Sequence, residues 1–318
     1  MKILITGGLG FIGSNFIRHM LTKYPDYKII NFDKMTYAGN PDNVKDIENN
    51  PNYSFIKGDI CDREAVKAAM KDCEWVVNFA AESHVDRSIK DASDFAKTNF
   101  YGVFILLDVA KELNVKKFLQ ISTDEVYGSI ENGLFKETDI LKPNSPYSAA
   151  KAGADLLARS YFKTFNLPVI ITRSANNYGP YQYPEKFIPL FVTNALEDKP
   201  LPLYGDGLNV RDWVYVEDNC KGIDLVLHKG KIGEVYNIGG ECEKANIEIA
   251  KKIVEILGKP ESLIQKVADR LGHDRRYALD ISKIKSLGFQ PNNNFHELFD
   301  KTVSWYKENE WWWRKLKK

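Results

Sequence analysis

Tyr147 and Lys151 stand four residues apart in the stretch 146–151 (PYSAAK), which reads as the opening of a helix. The spacing puts a phenol and an ammonium one turn apart on one face. A phenol ionises near ~10 in water and is a poor base at neutral pH. A fixed cation one turn away favours the phenolate, so Lys151 is expected to lower the pKa of Tyr147. A second cluster, Thr123-Asp124-Glu125, closes a hydrophobic run and sets two carboxylates beside a hydroxyl. An activated tyrosine can oxidise an alcohol; two further carboxylates can also move a proton and expel water. Thr-Asp-Glu suits a helix N-cap as well, but Val126-Tyr127-Gly128 follows and does not read as a helix.

Such chemistry needs an electron acceptor, and the first residues offer a place for one. Lys2 to Thr6 form a short β-branched run, the pattern of a buried strand, and Ser14 to Leu21 read as a helix. Between them Gly8, Gly10 and Gly13 satisfy G-x-G-x-x-G, and Gly7, Gly10 and Gly13 the wider G-x-x-G-x-x-G. Glycines there allow a tight turn and close approach of a pyrophosphate, which the helix N-terminus then attracts. A second strand, Lys28 to Phe32, ends in Asp33, twenty residues beyond Gly13. A carboxylate at that distance suits the free ribose hydroxyls of NAD and repels a 2′-phosphate. Lys34, adjacent, softens that repulsion; NAD is the expected cofactor.

Composition narrows the class. Lys plus Arg is 44 against 43 Asp plus Glu in 318 residues, which gives no electrostatic case for nucleic acid or an anionic membrane as partner. A chain of this length buries roughly three quarters of its unfolded surface, enough for one large domain or two closely joined ones. Cys61, Cys73, Cys220 and Cys242 form no C-x-x-C pair and no zinc spacing, so they read as reduced residues and no metal is expected. With no charged leader and no apolar stretch long enough for a bilayer, the expected location is the cytoplasm.

Strands and helices alternate through the first half. After Asp33 come the strand Tyr53 to Lys57, the helix Asp62 to Asp72, the strand Trp75 to Ala80 and a long helix over Ala92 to Leu113. The strand Lys117 to Ser122, the helix Tyr147 to Phe165 and the strand Pro168 to Thr172 follow. Repeated β–α–β implies a doubly wound parallel sheet of Rossmann type, α/β in class, with ligands outside the carboxyl ends of the strands. The glycine loop, Asp33, Asp59, Ala81-Glu82-Ser83 and Thr123-Asp124-Glu125 all fall at such ends. Beyond Asn176 prolines and glycines break the alternation. Residues 1–175 are therefore expected to form the NAD-binding domain. Residues 176–318 would form a smaller substrate-binding domain, with a segment near 209–240 returning to the main sheet.

With these residues in place, the chain resembles the extended short-chain dehydrogenase/reductase family along nearly its whole length. The similar motifs are TGGLGFIGSNF from Thr6, AAESHVDRSI from Ala80, STDEVYG from Ser122 and PYSAAKAGAD from Pro146. NNYGPYQYPEKFIP from Asn176, RDWVYVEDN from Arg211, YNIGG from Tyr236 and GHDRRYALD from Gly272 continue the series. Leu271 departs from the pattern, where proline is usual.

The resemblance is greatest to the branch that dehydrates nucleotide-linked sugars, and it implies dTDP-glucose as substrate, in deoxysugar (rhamnose-type) biosynthesis. It implies that Tyr147 takes the C4 hydroxyl proton while the C4 hydrogen passes to NAD. Lys151 supports Tyr147 and holds the nicotinamide ribose, and Thr123 bonds the C4 oxygen. Glu125 then removes the C5 proton, Asp124 protonates the departing C6 hydroxyl, and the hydrogen returns at C6. Implied NAD contacts are Gly7, Gly10, Phe11, Ile12, Gly13, Asp33, Lys34, Thr36, Asp59, Ile60, Ala80, Ala81, Ser83, Thr98, Tyr147, Lys151 and Asn177. On the sugar-nucleotide side stand Ser83, Thr123, Asn176, Lys186, Phe187, Arg211, Asn246, Arg270 and His273. Arg211 and Arg270 suit a diphosphate, because guanidinium binds phosphate oxygens bidentately.

A nucleotide-sugar 4-epimerase or a uronate decarboxylase would keep the glycine loop, Tyr147 and Lys151, but an epimerase has no use for Asp124-Glu125 as an acid and base at C6 and C5. A GDP-sugar dehydratase would be expected to carry serine at position 124. A non-catalytic nucleotide sensor on this fold would have lost Tyr147 or Lys151. His84 and Asp86 are expected to be structural. Trp311-Trp312-Trp313, followed by Arg314, Lys315, Lys317 and Lys318, is expected to pack against the substrate region. The helices Ala92 to Leu113 and from Tyr147 are richly apolar, with Phe95, Phe100, Val103, Phe104, Leu106, Leu107 and Val109 around the first. The resemblance implies that they pair in a two-fold homodimer.

Overall fold

The computed structural model describes residues 1–317; Lys318, the last basic residue after the tryptophans, lies outside the described residues. The strands are β1 (Lys2–Thr6), β2 (Lys28–Asp33), β3 (Tyr53–Lys57), β4 (Trp75–Asn78), β5 (Lys117–Thr123) and β6 (Val169–Ser174). There follow β7 (Asn176–Tyr178), β8 (Leu201–Tyr204), β9 (Val210–Tyr215), β10 (Val235–Ile238), β11 (Glu243–Ala245) and β12 (Ile264–Val267). Seven of them form one sheet in the order β10-β6-β5-β4-β1-β2-β3, with every pair parallel. Strands buried on both faces read as unbroken apolar runs, as β1 (KILIT) and β4 (WVVN) do. The order reverses between β1 and β4, which opens a crevice at their carboxyl ends.

One core cluster, with Phe16, Ile17 and Ile223, covers one face of the sheet; another, with Val66, Leu106 and Ala158, covers the other. A third gathers Tyr178, Phe191, Trp213, Phe299, Trp312 and Trp313 in the C-terminal half. Trp312 Nε1 donates to Asn43 Oδ1 at 2.8 Å and so ties that half to the β2–β3 connection, while Trp311 is half exposed. β10 pairs with β6, whereas β9 lies between β7 and β11 in a small sheet of its own. A two-stranded pair, β8 with β12, completes the smaller region.

Three elements differ from the sequence reading. The first helix is Phe11–Lys23, so Gly13 is inside it rather than before it. The long helix is split by a π turn, Lys97–Gly102, between Ser93–Ala96 and Val103–Glu112. The wide turn carries Asn99, which donates to Glu82 O and accepts from Glu82 N, both at 2.8 Å. A local widening of this kind leaves no mark in apolar periodicity. Finally, most of the apolar surplus on these helices is spent inside the protomer. Phe95, Val103, Leu106, Leu107 and Val109 are buried, Phe104 is half-buried, and Phe100, Tyr101 and Leu156 stay exposed.

Candidate active site

A crevice of about 320 Å³ runs along the carboxyl ends of β1, β2, β4, β5 and β6. Gly7 begins it with φ 69°, and a Cβ there would come within 2.6 Å of Ala80 N. At Gly10 a Cβ would meet only Gly7 O, at 3.2 Å, so the loop presents bare backbone to the crevice. The Phe11–Lys23 helix has no side-chain cap, which leaves its first N–H groups for a ligand. Gly8 serves packing instead, since a Cβ would strike Asn31 and Ile17.

Asp33 is held by two backbone donors, Leu9 N at 3.0 Å and Met35 N at 2.8 Å, and burial still pushes its carboxyl up. The Lys34 ammonium lies 2.8 Å from Asp59 Oδ2. That cation is engaged and is poorly placed to welcome a 2′-phosphate beside Asp33. Thr36, Ile60, Ala80, Ala81, Ser83, Thr98 and Asn177 line the same crevice, as do Phe11, Ile12, Gly13 and Asp59. Among the lining residues Ser122 Oγ, Asp124 Oδ2, Asn176 Oδ1 and Asn177 Oδ1 are buried without a partner. Bare glycine backbone, an uncapped helix and orphaned polar atoms in one cleft fit a dinucleotide with a polar second ligand.

At the far end β5 delivers the carboxylates. Thr123 caps a single 3₁₀ turn, Asp124–Tyr127, so the N-cap reading set aside from the sequence is realised here together with the site. Its Oγ1 accepts from Glu125 N at 3.3 Å and donates to Asp124 Oδ1 at 3.1 Å. Asp124 is 2% exposed, and burial, then the charge of Glu125, raises its carboxyl well above the usual range. Burial raises Glu125 as well, but Arg270, Arg211 and Lys186 pull it back. Both carboxyls are therefore raised, Asp124 well above its usual range and Glu125 held back by three cations, so the environments separate the two neighbours by degree.

Tyr147 opens the Pro146–Phe165 helix, which Ser145 caps reciprocally with Ser148. Its backbone N donates to Ser88 Oγ at 3.3 Å, and its ring meets Phe95 edge-on at 6.3 Å. The expected lowering of its pKa is not seen. Burial, then the charges of Glu125 and Asp124, raise the phenol, with the Thr123 hydroxyl opposing. Lys151 Nζ donates to Ile121 O at 2.5 Å, and burial lowers it to about 8 with Asp155 opposing. Desolvation and two carboxylates outweigh a cation whose proton is held by a carbonyl.

On the substrate side, Lys186 lines the crevice and donates to Ser83 O, and Asn176 lines the crevice too. Phe187, Arg211, Asn246, Arg270 and His273 are not crevice walls. Phe187 is half-buried and packs against the third core, its ring tilted 4.4 Å from that of Phe191. Asn246 begins the Asn246–Leu257 helix and donates through its backbone to Asn209 O at 3.0 Å. Arg211 donates to Asp274 O at 2.9 Å with its guanidinium 4.3 Å from the Tyr277 ring. Arg270 lies 3.7 Å from Asp86 Oδ1 and keeps a buried Nε without a partner; His273 meets Asp269 Oδ1 at 2.6 Å. These three cluster beyond Glu125, where Arg211 and Arg270 act on its charge.

His84 caps the short helix Val85–Lys90, and Asp86 accepts from the Tyr204 hydroxyl at 3.0 Å. Glu185, which sequence reasoning passed over, lines the crevice and accepts from the Tyr37 hydroxyl at 2.7 Å. Arg87 reaches the other Glu185 oxygen at 3.3 Å and stacks 3.7 Å over the Tyr37 ring. Its place one residue before Lys186 was the available signal.

A family model described as GDP-mannose 4,6 dehydratase matches residues 4–302. The low-salt glycan biosynthesis protein Agl12 of Haloferax volcanii is 52% identical over 96% of this chain and 98% of its own length. A dTDP-glucose 4,6-dehydratase of Streptomyces antibioticus is 49% identical over 100% of this chain and 96% of its own. The structure of DesIV, a dTDP-glucose 4,6-dehydratase from Streptomyces venezuelae with NAD and TYD bound, superposes with a TM-score of 0.98 at 50% identity over 100% of both chains.

Proposed function

The chain belongs to the GDP-mannose 4,6-dehydratase family of extended short-chain dehydrogenases/reductases, and on that premise we propose that it is a hydro-lyase converting dTDP-glucose to dTDP-4-keto-6-deoxyglucose. The observation that carries this reading is the adjacent pair Asp124 and Glu125 at the end of a dinucleotide crevice, the first buried beside a like charge and the second faced by three cations. NAD, when bound there, supplies the two-electron acceptor and donor, so the overall reaction loses water with no net redox change.

Asp33, the glycine loop and the Phe11–Lys23 helix hold the ribose and pyrophosphate. Tyr147 takes the proton from the C4 hydroxyl, and Thr123 hydrogen-bonds the C4 oxygen. Because burial and carboxylates hold the phenol up, its ionisation rests on charge brought by the ligands as well as on Lys151. A ketone at C4 acidifies the C5 hydrogen, which Glu125 accepts as a carboxylate. Asp124, kept protonated by burial and by its neighbour, gives its proton to the C6 hydroxyl, and water leaves. Arg211 and Arg270 suit the diphosphate and also favour the ionised form of Glu125 against its burial.

The reading includes a homodimer in the cytoplasm. Exposed Phe100, Tyr101 and Leu156, on adjacent helices, support the first; four free cysteines support the second, and no described helix is long and apolar enough to cross a membrane. Incubation with dTDP-glucose and no added reductant should give a product lighter by one water. Conversion at unchanged mass would mark an epimerase instead.

A further inference from the structure

The acid–base pair and the Tyr147–Lys151 pair reach the sugar from different elements, and one buried side chain touches the supports of both. We propose that Arg173 is a positioning residue that sets the Asp124–Tyr127 turn against the Pro146–Phe165 helix, acting through Asp155 on one side and the Tyr127 hydroxyl on the other. The inference rests on the dehydration reading above.

Asp155 lies one turn beyond Lys151 and two beyond Tyr147, so all three share one face of the helix. Arg173, on β6, is 5% exposed and Asp155 1%. The guanidinium donates through Nε to Asp155 Oδ2 at 2.9 Å and through NH1 to the Tyr127 hydroxyl oxygen at 2.8 Å. Tyr127 is the last residue of the turn that starts at Asp124. Its hydroxyl donates onward to Asn237 Oδ1 at 2.8 Å, and Asn237 Nδ2 donates to Phe135 O at 3.0 Å. The Tyr127 ring stacks on Phe135 at 4.9 Å.

The phenol therefore has a donor, an acceptor and a ring neighbour, which together allow one orientation. A four-residue turn anchored this way cannot move its carboxylates without breaking the anchor. A pair serving only the helix would need Asp155 alone; the second arm, to Tyr127, is the one that reaches the chemistry. Asp155 keeps its other oxygen, Oδ1, buried and unpartnered. Its charge works against the burial that lowers Lys151, so the same carboxylate supports the lysine and receives the arginine.

Tyr127→Phe keeps the ring stack and the Arg173–Asp155 pair and removes the hydroxyl's bonds to Arg173 and Asn237. In a single turnover with dTDP-glucose it should accumulate reduced-nicotinamide absorbance. Alcohol oxidation continues while water loss slows by about tenfold or more, the scale on which ångström-level misplacement acts. KM and bound NAD should match wild type. Arg173→Lys keeps the charge but cannot serve both partners, and it should show the same accumulation; the double variant should be no slower than the worse single. A Tyr127→Phe protein with wild-type kcat and no accumulation overturns the inference, as does one in which oxidation, NAD content and water loss fall together. Wild-type protein that forms no dehydrated product overturns the dehydration reading and this inference with it.

Discussion

The Thr123 hydroxyl donates to Asp124 Oδ1 at 3.1 Å, while Oδ2 of the same carboxyl is buried with no partner at all. One oxygen is fixed as an acceptor, which leaves the other to carry the proton that burial retains. Asp124→Asn keeps the shape and removes that acid. It should still oxidise the sugar and show reduced-nicotinamide absorbance, with water loss slowed by about 10²-fold or more, the scale of general acid catalysis. Tyr147→Phe should show no such absorbance. If both variants stall before it appears in rapid mixing, the division of roles is wrong.

The pH dependence of water loss follows from the same pair. Asp124 must hold its proton, so the rate falls as pH rises through its raised value; Glu125 must be ionised, so the rate falls as pH drops through its own. The two limbs belong to the coupled pair rather than to either residue. In Asp124→Asn the alkaline limb should vanish from the residual single-turnover rate and the acidic limb persist. An unchanged bell would assign both limbs elsewhere.

Stability should depend on a cluster away from the chemistry. Buried Asp224 joins the Val216–Lys229 helix to the Phe11–Lys23 helix, whose first turn lines the crevice, taking His19 Nε2 at 2.8 Å, Lys23 Nζ at 2.6 Å and the Tyr24 hydroxyl at 3.0 Å. Burial opposes ionisation, but these partners and His228 together hold the carboxyl far below its ordinary range. A depressed folded-state pKa contributes stability that is present above the unfolded value of about 3.9 and lost as pH falls below it. Asp224→Ala should cost about 3 kcal/mol at pH 7, as removing one partner of a buried pair does, and less in acid. Urea titration at both pH values checks this; a loss independent of pH would contradict it.

The proposed homodimer would rest on a smaller surface than the sequence pattern suggested. Phe100 covers Gly153, where a Cβ would come within 3.0 Å of its ring, and Tyr101 and Leu156 flank it in the open. Tyr101→Asp would bury an unpaired charge in a helix-pairing interface. Light scattering should give a dimer for the native chain and a monomer for the variant. A native mass of 36.4 kDa at micromolar concentration would remove the proposal.

Much of this was legible in the residues because periodicity and turn chemistry are local. The strand Tyr53–Lys57 falls where it was expected, and the helix expected from Tyr147 to Phe165 begins one residue earlier, at Pro146. The doubly wound sheet followed from alternation alone. The π turn at Lys97–Gly102 was not legible, because its cause is Asn99 bonding across to Glu82. Nor was the raised Tyr147 phenol, because helical spacing reports which groups share a face and says nothing of burial or of a carbonyl that occupies Lys151. The packing of Phe187 against the third core was not legible either, because a ring beside a lysine shows no sign of which cluster it meets. The Asp155–Arg173–Tyr127 link joins three elements and has no spacing to read.

The central claim is that one hydrogen leaves C4 and returns to the same molecule at C6 while water is lost. dTDP-glucose deuterated at C4 tests it, with mass spectrometry and NMR of the product. The account predicts loss of one water, the deuterium retained in the new C6 methyl group, and no requirement for added reductant. Deuterium found again at C4 with mass otherwise unchanged, or released from the sugar altogether, would contradict it.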